Sequence, residues 1–239
     1  MKKYKFTGET KTIDLPFGTV TLHRIKAVVE FGLVKVGDLG GWIEKEENLS
    51  HEENAWVCGN AKVYDNAKVC GNAWVYDNAK VCGDAKVYGD AKVCGNAKVY
   101  GDAEVYGNAE VRGNAWVCGN AWVYDNTWVY DNTWVYGNAK VYGDAWVHGN
   151  AWVCGNAKVF SADHVLVIGA IGSRNDFTTF FRDKDNEITV KCGCFLGKID
   201  KFLEKVTQTH KDTKHALVYK AAVEVAKLQI DLTEKSTRR

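Results

Sequence analysis

The chain has little proline and no excess of charge of either sign, and the balanced charge limits which partners it can bind. Its 239 residues include one proline and carry a formal net charge of +1. A protein that mimics DNA would be strongly acidic, and one that binds nucleic acid through a basic surface would be strongly basic. We therefore expect no DNA partner.

Long apolar runs are also missing. No stretch approaches the roughly 18 apolar residues of a membrane-spanning helix, and no apolar run of signal-peptide length follows Lys2 and Lys3. The sequence therefore predicts a cytoplasmic protein with no membrane partner.

Glycine is abundant by contrast, and most of its 23 residues occupy one slot of a repeat. From Ala55 to Phe160 the chain repeats every six residues, giving 18 windows, the last of them incomplete. A window reads Ala or Thr, a variable residue, Val, a variable residue, Gly or Asp, then Asn or Asp. The Val slot never varies, and the Ala slot changes only at Thr127 and Thr133.

This pattern predicts short strands that alternate with tight turns. In Ala-x-Val the first and third residues point to the same side of a strand, so Ala and Val would face inward. Gly, Asn and Asp tolerate the positive φ of a sharp bend better than other residues do. A strand and a turn repeated at this period are typical of a parallel β-helix.

The repeat resembles that of the hexapeptide-repeat proteins, whose coils are triangular left-handed β-helices with three hexapeptides in each turn. The resemblance covers residues 55–160 and implies the same fold for this segment. With three windows in each turn, the 18 windows would form about six coils. A strand spacing of about 4.8 Å gives a prism about 29 Å long.

In such a prism the residues before and after each Val point outward, and residues one coil apart stack on the same face. Before the Val, the first face carries Trp56, Trp74, Lys92, Glu110, Trp128 and Trp146. The second face carries Lys62, Lys80, Lys98, Trp116, Trp134 and Trp152. The third face carries Lys68, Lys86, Glu104, Trp122, Lys140 and Lys158, with Tyr88, Tyr106, Tyr124, Tyr142 and Phe160 after the Val.

The exposed aromatic residues have three interpretations. Stacked rings can stabilise the sheets, and a large aromatic patch can instead mark self-association as a dimer or trimer, or a protein partner. Stacking of nucleobases or sugars is the third interpretation. The candidate interaction residues are Trp116, Trp122, Trp128, Trp134, Trp146, Trp152, Tyr124 and Tyr142.

Six of the eight cysteines lie in the repeat, and the sequence indicates that they are reduced surface thiols. Cysteines that share a face, such as Cys82 and Cys118, are two coils apart, which is too far for a disulfide. Outside the repeat, Cys192 and Cys194 could bind a metal ion with His210 or His215, although ordinary strand cysteines are the simpler reading. We predict no metal site and no cofactor.

Many hexapeptide-repeat proteins are acyl- or acetyltransferases, which implies an enzymatic alternative. Those enzymes use a His general base, often with a loop that leaves the coil. Here the 18 windows have no insertion, and the single repeat histidine, His148, lies in a regular outward slot above Tyr130. The sequence identifies no partner that would orient this base. It therefore predicts no catalytic residue.

The segments that flank the repeat predict caps, because a solenoid would otherwise expose strand edges at both ends. We expect an N-terminal β cap over residues 1–54, the β-helix over 55–162, an α+β domain over 163–232 and a frayed tail over 233–239. The motifs Lys26-Ala27-Val28 and "VGDLGGWI" resemble the N-terminal region of bacterial and phage hexapeptide-repeat proteins.

Residues 163–232 predict a strand, a hairpin that turns at Asp185-Asn186, and two helices. Ile199, Phe202, Leu203 and Val206 have helical spacing, and the second helix would span roughly Thr213 to Ile230. The strings "DFTTFF" and "CGCFLGKIDKF" resemble a C-terminal module of phage and prophage proteins. This resemblance implies a bacterial host cell as the location.

The loop after the first of these strands is a candidate anion site. Gly169, Gly172, Ser173 and Arg174 could present backbone N–H groups and a guanidinium to a phosphate. The alternative is a tight turn with a surface arginine. No Walker-type lysine follows, so the sequence does not predict nucleotide hydrolysis.

Together these features predict a non-catalytic binding or scaffold protein of phage or prophage type. Its partner would be a host protein or a small anionic ligand, and its role could be to counter host defence by capturing a nucleotide signal. The alternatives are an acyltransferase and a cytoskeleton-like polymer built by end-to-end stacking of solenoids.

Overall fold

The computed structural model describes residues 2–16 and 18–233 of the chain. Apart from Thr233, the predicted frayed tail lies outside the described residues.

The N-terminal segment forms three strands that join the solenoid. β1 (Tyr4–Leu15) and β2 (Gly18–Ala27) are antiparallel, and β2 also pairs with β3 (Leu39–Ile43). β3 then pairs in parallel with the second strand of the repeat. The cap and one face of the solenoid are therefore one continuous sheet of nine strands.

The repeat forms 18 two-residue strands, each made of the variable residue and the following Val. Each strand of the first five coils pairs in parallel with the strand one coil later, as Val99 does with Val117. The strands β4–β21 are, in order, Trp56–Val57, Lys62–Val63, Lys68–Val69, Trp74–Val75, Lys80–Val81, Lys86–Val87, Lys92–Val93, Lys98–Val99, Glu104–Val105, Glu110–Val111, Trp116–Val117, Trp122–Val123, Trp128–Val129, Trp134–Val135, Lys140–Val141, Trp146–Val147, Trp152–Val153 and Lys158–Val159. The predicted parallel β-solenoid is confirmed.

The solenoid has about one turn more than the six that the repeat predicts. Ile43 pairs with Val63, and Leu49 forms a parallel bridge with Val69. Both pairs are 20 residues apart and not 18, because eight residues instead of six separate Leu49 from the first repeat valine, Val57. Ile43 and Leu49 pair with inward-facing valines, and both are buried. These residues extend the core without the hexapeptide motif.

The interior is lined by the Ala and Val slots. The Val side chains in strands β4–β21 are all at most 1% exposed, and the column runs unbroken to Val159. Thr127 and Thr133 are also fully buried, and their hydroxyls donate to the carbonyls of Tyr124 and Tyr130 at 2.7 and 2.8 Å. The two polar groups in the core are therefore paired, so they do not carry the cost of an unmade hydrogen bond.

Turns stack on turns, and polar side chains link them. Where Asp replaces Gly in the turn, the residue has a positive φ, as at Asp125 with 61°. The Asp125 carboxylate accepts a hydrogen bond at 3.2 Å from the N–H of Gly143, one coil later. In the next slot, Asn side chains donate along the axis, as Asn114 does to Asn132 at 3.1 Å. Each coil is thus fixed to its neighbour outside the strands as well.

The C-terminal region is a four-stranded antiparallel sheet with two helices. The strands are β22 (Val165–Ile171), β23 (Asp176–Arg182), β24 (Ile188–Cys192) and β25 (Phe195–Lys198), after a short 3₁₀ helix at Ala162–His164. The helices are α1 (Ile199–His210) and α2 (Lys214–Gln229). The predicted hairpin turn contains Asn186, which has a φ of 60°.

Strand β23 covers the end of the solenoid. The Thr179 hydroxyl accepts a hydrogen bond at 3.0 Å from the backbone N–H of Trp152. The backbone of Ala157 forms an antiparallel β-bridge with Asp183. Successive phenylalanines of β23 face opposite sides. Phe181 packs in the solenoid core, and Phe180 packs against the helices.

Lys3 covers the opposite end. Its ammonium group donates to the carbonyls of Ala55 and Glu52 at 2.7 and 3.2 Å and lies 4.8 Å from the centre of the Phe31 ring. Because the side chain is buried, the pKa of Lys3 falls from 10.5 to about 8, although Glu53 acts in the other direction.

This shift predicts a pH-dependent contribution of Lys3 to stability. Between about pH 8 and 10.5, Lys3 is still protonated in the unfolded chain but loses its proton in the folded chain. Because the unfolded state binds more protons in this window, the free energy of unfolding increases as the pH rises through it. The difference in unfolding free energy between wild type and Lys3→Met should rise across this window and stay flat below it. Urea unfolding at several pH values measures it. The exposed lysine variant Lys5→Met is the control, and a difference as flat as the control's would contradict the prediction.

Candidate ligand-binding cleft and aromatic ladders

The tryptophans of the second face form a stacked ladder. The ring centroids of Trp116 and Trp134 are 4.4 Å apart, and those of Trp134 and Trp152 are 5.3 Å apart. A cation covers each end, because Lys98 lies 3.9 Å from the Trp116 ring and Lys191 lies 4.9 Å from the Trp152 ring. Each end therefore adds a cation–π contact to the ring stacking.

The other faces have their own ladders. On the third face the rings from Tyr88 to Tyr142 follow one another at 4.8 to 4.9 Å, and Phe160 continues the column. The buried Arg182 lies 4.5 Å from the Phe160 ring. On the first face Trp128 and Trp146 stack at 5.5 Å. Each ring stacks on the face of the next, so the inner rings expose mainly their edges to solvent.

The eight candidate interaction residues therefore do not form one patch. They are spread over three faces, and Trp116, Trp128, Trp134, Tyr124 and Tyr142 are half-buried within their ladders. Trp122, Trp146 and Trp152 are more exposed, at 37%, 50% and 38%. This arrangement leaves inner rings no free face on which a base or sugar could stack.

The cysteines of the repeat are less exposed than the surface position predicted from the sequence. On the second face, Tyr and Cys alternate from coil to coil after the Val: Tyr64, Cys82, Tyr100, Cys118, Tyr136 and Cys154. The larger Tyr side chains cover the thiols, and Cys154 is fully buried. Burial raises the pKa of the Cys82 and Cys154 thiols, which favours the unreactive protonated form. The alternation of Tyr and Cys from one coil to the next was the sequence pattern that could have predicted the burial of these thiols.

The four residues of the predicted anion loop do not share one cleft. Gly169 lies in strand β22 against the Phe177 ring, in a cleft with Trp146. Ser173 and Arg174 follow the end of that strand and line a different cleft. Gly172 packs directly against Tyr219, where a Cβ would lie 2.0 Å from the phenol ring. Gly169 is therefore separated from Ser173 and Arg174.

The cleft beside Ser173 and Arg174 has a volume of about 360 Å³ and joins four separate segments of the chain. Phe195, Phe202 and Tyr219 form its aromatic floor, with centroids 5.3 Å apart for Phe195 and Phe202 and 5.5 Å apart for Phe202 and Tyr219. The lining residues are Ser173, Arg174, Cys192, Cys194, Phe195, Phe202, Lys205, Val206, Thr209, His210 and Tyr219. We call it the basic cleft, because this lining includes Arg174 and Lys205 and no carboxylate.

The position of Arg174 depends on a glycine. The guanidinium lies so close to Gly193 that a Cβ there would be 2.0 Å from the Arg174 Nη1 atom. Any side chain at residue 193 would therefore displace the arginine. Sequence reasoning selected Arg174 but missed Gly193 and Lys205, because they come from a distant turn and from α1.

Polar groups connect the floor of the basic cleft. The Thr178 hydroxyl donates to the Cys192 sulfur at 3.3 Å, and that thiol lies 3.9 Å from the Tyr219 oxygen. Burial, followed by the neighbouring Cys192, raises the pKa of Tyr219, so its phenol stays neutral. The Ser173 hydroxyl lies 3.5 Å from Nε2 of His210. These contacts hold hydrogen-bonding groups at the rim.

The cysteines and histidines of the described residues do not form a metal site. Cys192, Cys194 and His210 share the basic cleft, but no group of three His, Cys, Asp or Glu side chains in residues 2–16 and 18–233 could hold a metal ion. The Ser173 and His210 pair has no carboxylate beside it within the cleft lining. His148 stacks on Tyr130 with centroids 5.1 Å apart, and no hydrogen bond of its ring is seen in the described part of the chain.

Comparison with known families identifies only the repeat. The YdcK beta solenoid repeat model matches residues 135–149, which agrees with the observed coil. No curated protein matches the chain. In the part of the chain that the structure describes, neither helix has the length and apolar character needed to cross a bilayer.

The ladder geometry predicts unequal effects of two tryptophan substitutions. Trp134 stacks on a ring at each side, whereas Trp122 contacts the Lys140 ammonium at 4.4 Å and no ring in its column. Trp134→Leu should lower the unfolding free energy by about 1–3 kcal/mol, and Trp122→Leu by less, because stacked aromatic pairs contribute about 0.5–1.5 kcal/mol each.

Urea unfolding measures both effects, and light scattering gives the mass of each variant. Equal losses of stability would contradict a stabilising ladder. A lower mass for Trp134→Leu would indicate that the ladder is part of an interface.

Proposed function

We propose that the protein is a non-catalytic binding protein whose basic cleft takes a small anionic ligand with a flat ring, such as a nucleotide. The observation that carries this proposal is that Arg174 and Lys205 line the same cleft as three aromatic rings, with no carboxylate in the lining. The solenoid would act as a rigid support for this cleft.

The basic rim of the cleft suits the anionic group of such a ligand, and the aromatic floor suits its flat ring. A phosphate would accept charge-assisted hydrogen bonds from Arg174 and Lys205 at the rim. Phe195 is half-buried, so part of its ring is available to a flat ring, whereas Phe202 and Tyr219 are buried beneath it. The Ser173 hydroxyl and the His210 ring would add hydrogen bonds.

The resemblance of the C-terminal region to phage and prophage modules suggests a role for this binding. A phage protein that sequesters a nucleotide signal in the bacterial cytoplasm would counter host defence without catalysis. A host protein that contacts the solenoid is a second partner within the same proposal.

The two alternative functions have less in their favour. An acyltransferase needs an oriented base, and His148 contacts only the Tyr130 ring among the interactions of the described residues. Turnover of acetyl-CoA would restore that alternative. A polymer needs open solenoid ends, whereas Lys3 and strand β23 cover the two ends. Filaments in electron micrographs would restore the polymer.

Calorimetric titration tests the proposed function with adenosine monophosphate, cyclic dinucleotides, adenosine and inorganic phosphate. We expect a nucleotide to bind more tightly than adenosine or phosphate alone. Arg174→Ala and Lys205→Ala should each weaken binding by about 10-fold or more, because a hydrogen bond to a charged group contributes about 1.5–3 kcal/mol.

Lys201→Ala is the matched control, because Lys201 lies on the same helix and pairs with Glu204 at 2.9 Å outside the cleft. Its affinity should equal that of the wild type. No heat with any of these compounds, or equal losses for Lys201→Ala and Lys205→Ala, would overturn the proposal.

A further inference from the structure

Helix α2 is apolar on two opposite sides. One side packs in the C-terminal core through Ala216, Tyr219, Ala222, Val223 and Ala226. On the other side, Leu217, Val225 and Leu228 are 62%, 49% and 89% exposed. Exposed leucines on a helix that already has a buried face need a separate explanation.

These exposed residues form one stripe. Leu217, Ala221, Val225 and Leu228 follow at intervals of four, four and three residues, which is the spacing of one face of an α-helix. At about 1.5 Å per residue the stripe is about 16 Å long. Ala221 is exposed as well, so the stripe has a small residue between larger ones.

We propose that this stripe packs antiparallel against the same stripe of a second copy of the chain. A two-fold axis between residues 222 and 223 would bring Leu217 opposite Leu228 of the partner subunit. It would also bring Val225 within one residue, about 1.5 Å along the helix, of Ala221 of the partner subunit. Each larger side chain would meet a smaller one at the centre, as packed helices require.

The charges beside the stripe favour this occupant and this direction. Lys220 and Glu224 border the same edge of the stripe, four residues apart. In an antiparallel pair the same edges meet, so Lys220 would approach Glu224 of the partner subunit, twice in each dimer.

The stripe is short, so the dimer should be weak and depend on protein concentration. Interfaces that bury less than about 1,200 Å² in total are typical of transient contacts. The basic cleft uses Tyr219 on the opposite side of α2, so the dimer would leave both clefts open. This proposal therefore does not rest on ligand binding.

Sedimentation over a range of protein concentrations tests the dimer. The wild type should shift from monomer to dimer mass as its concentration rises, and Leu228→Lys should remain a monomer with unchanged thermal stability. Leu33→Lys is the matched control, because Leu33 is 86% exposed in the N-terminal segment. Its mass should follow that of the wild type.

Charge exchange tests the antiparallel pairing. Lys220→Glu should weaken the dimer by about 10-fold through like charges, and the double variant Lys220→Glu with Glu224→Lys should restore it. A wild type that stays monomeric at every concentration would overturn the proposal. So would a dimer that survives Leu228→Lys, a double variant that stays dissociated, or a monomer that binds anionic lipid vesicles through the stripe.

Discussion

The hydrogen bond between consecutive coils determines most of this structure. Each strand donates its N–H to a carbonyl of the next coil, as Lys98 does to Ala115 at 2.9 Å. Because this register repeats, every outward side chain stands directly beside the side chain one coil later. The Asn column, the Asp125 contact with Gly143 and the aromatic ladders all follow from that one spacing.

The same spacing decides what the aromatic surface can do. Rings that repeat at 4.4 to 5.5 Å cover one another's faces, so most of their apolar area is buried within the chain. Cations then cover the outer faces of Trp116, Trp152 and Phe160. The ladders therefore make most of their contacts within the solenoid, and the better candidates for recognition lie in the C-terminal region.

The sequence predicted the solenoid well because its signal is local and periodic. It missed the turn that Ile43 and Leu49 form, since those residues pair with the first coil without carrying the hexapeptide motif. It selected Ser173 and Arg174 but grouped Gly169 with them, although that residue faces Phe177. Gly193 meets Arg174, and Lys205 shares a cleft with it, only through tertiary packing, which no short motif encodes.

We propose that the basic cleft, supported by the solenoid, is where this protein binds a small anionic ligand. Hydrogen–deuterium exchange with and without a saturating nucleotide tests this proposal. We expect slow exchange throughout the coils in both states, with new protection confined to residues 172–175, 192–195 and 205–210. Protection that appears instead around Trp146 and Phe177, or no change in the three cleft segments, would contradict it.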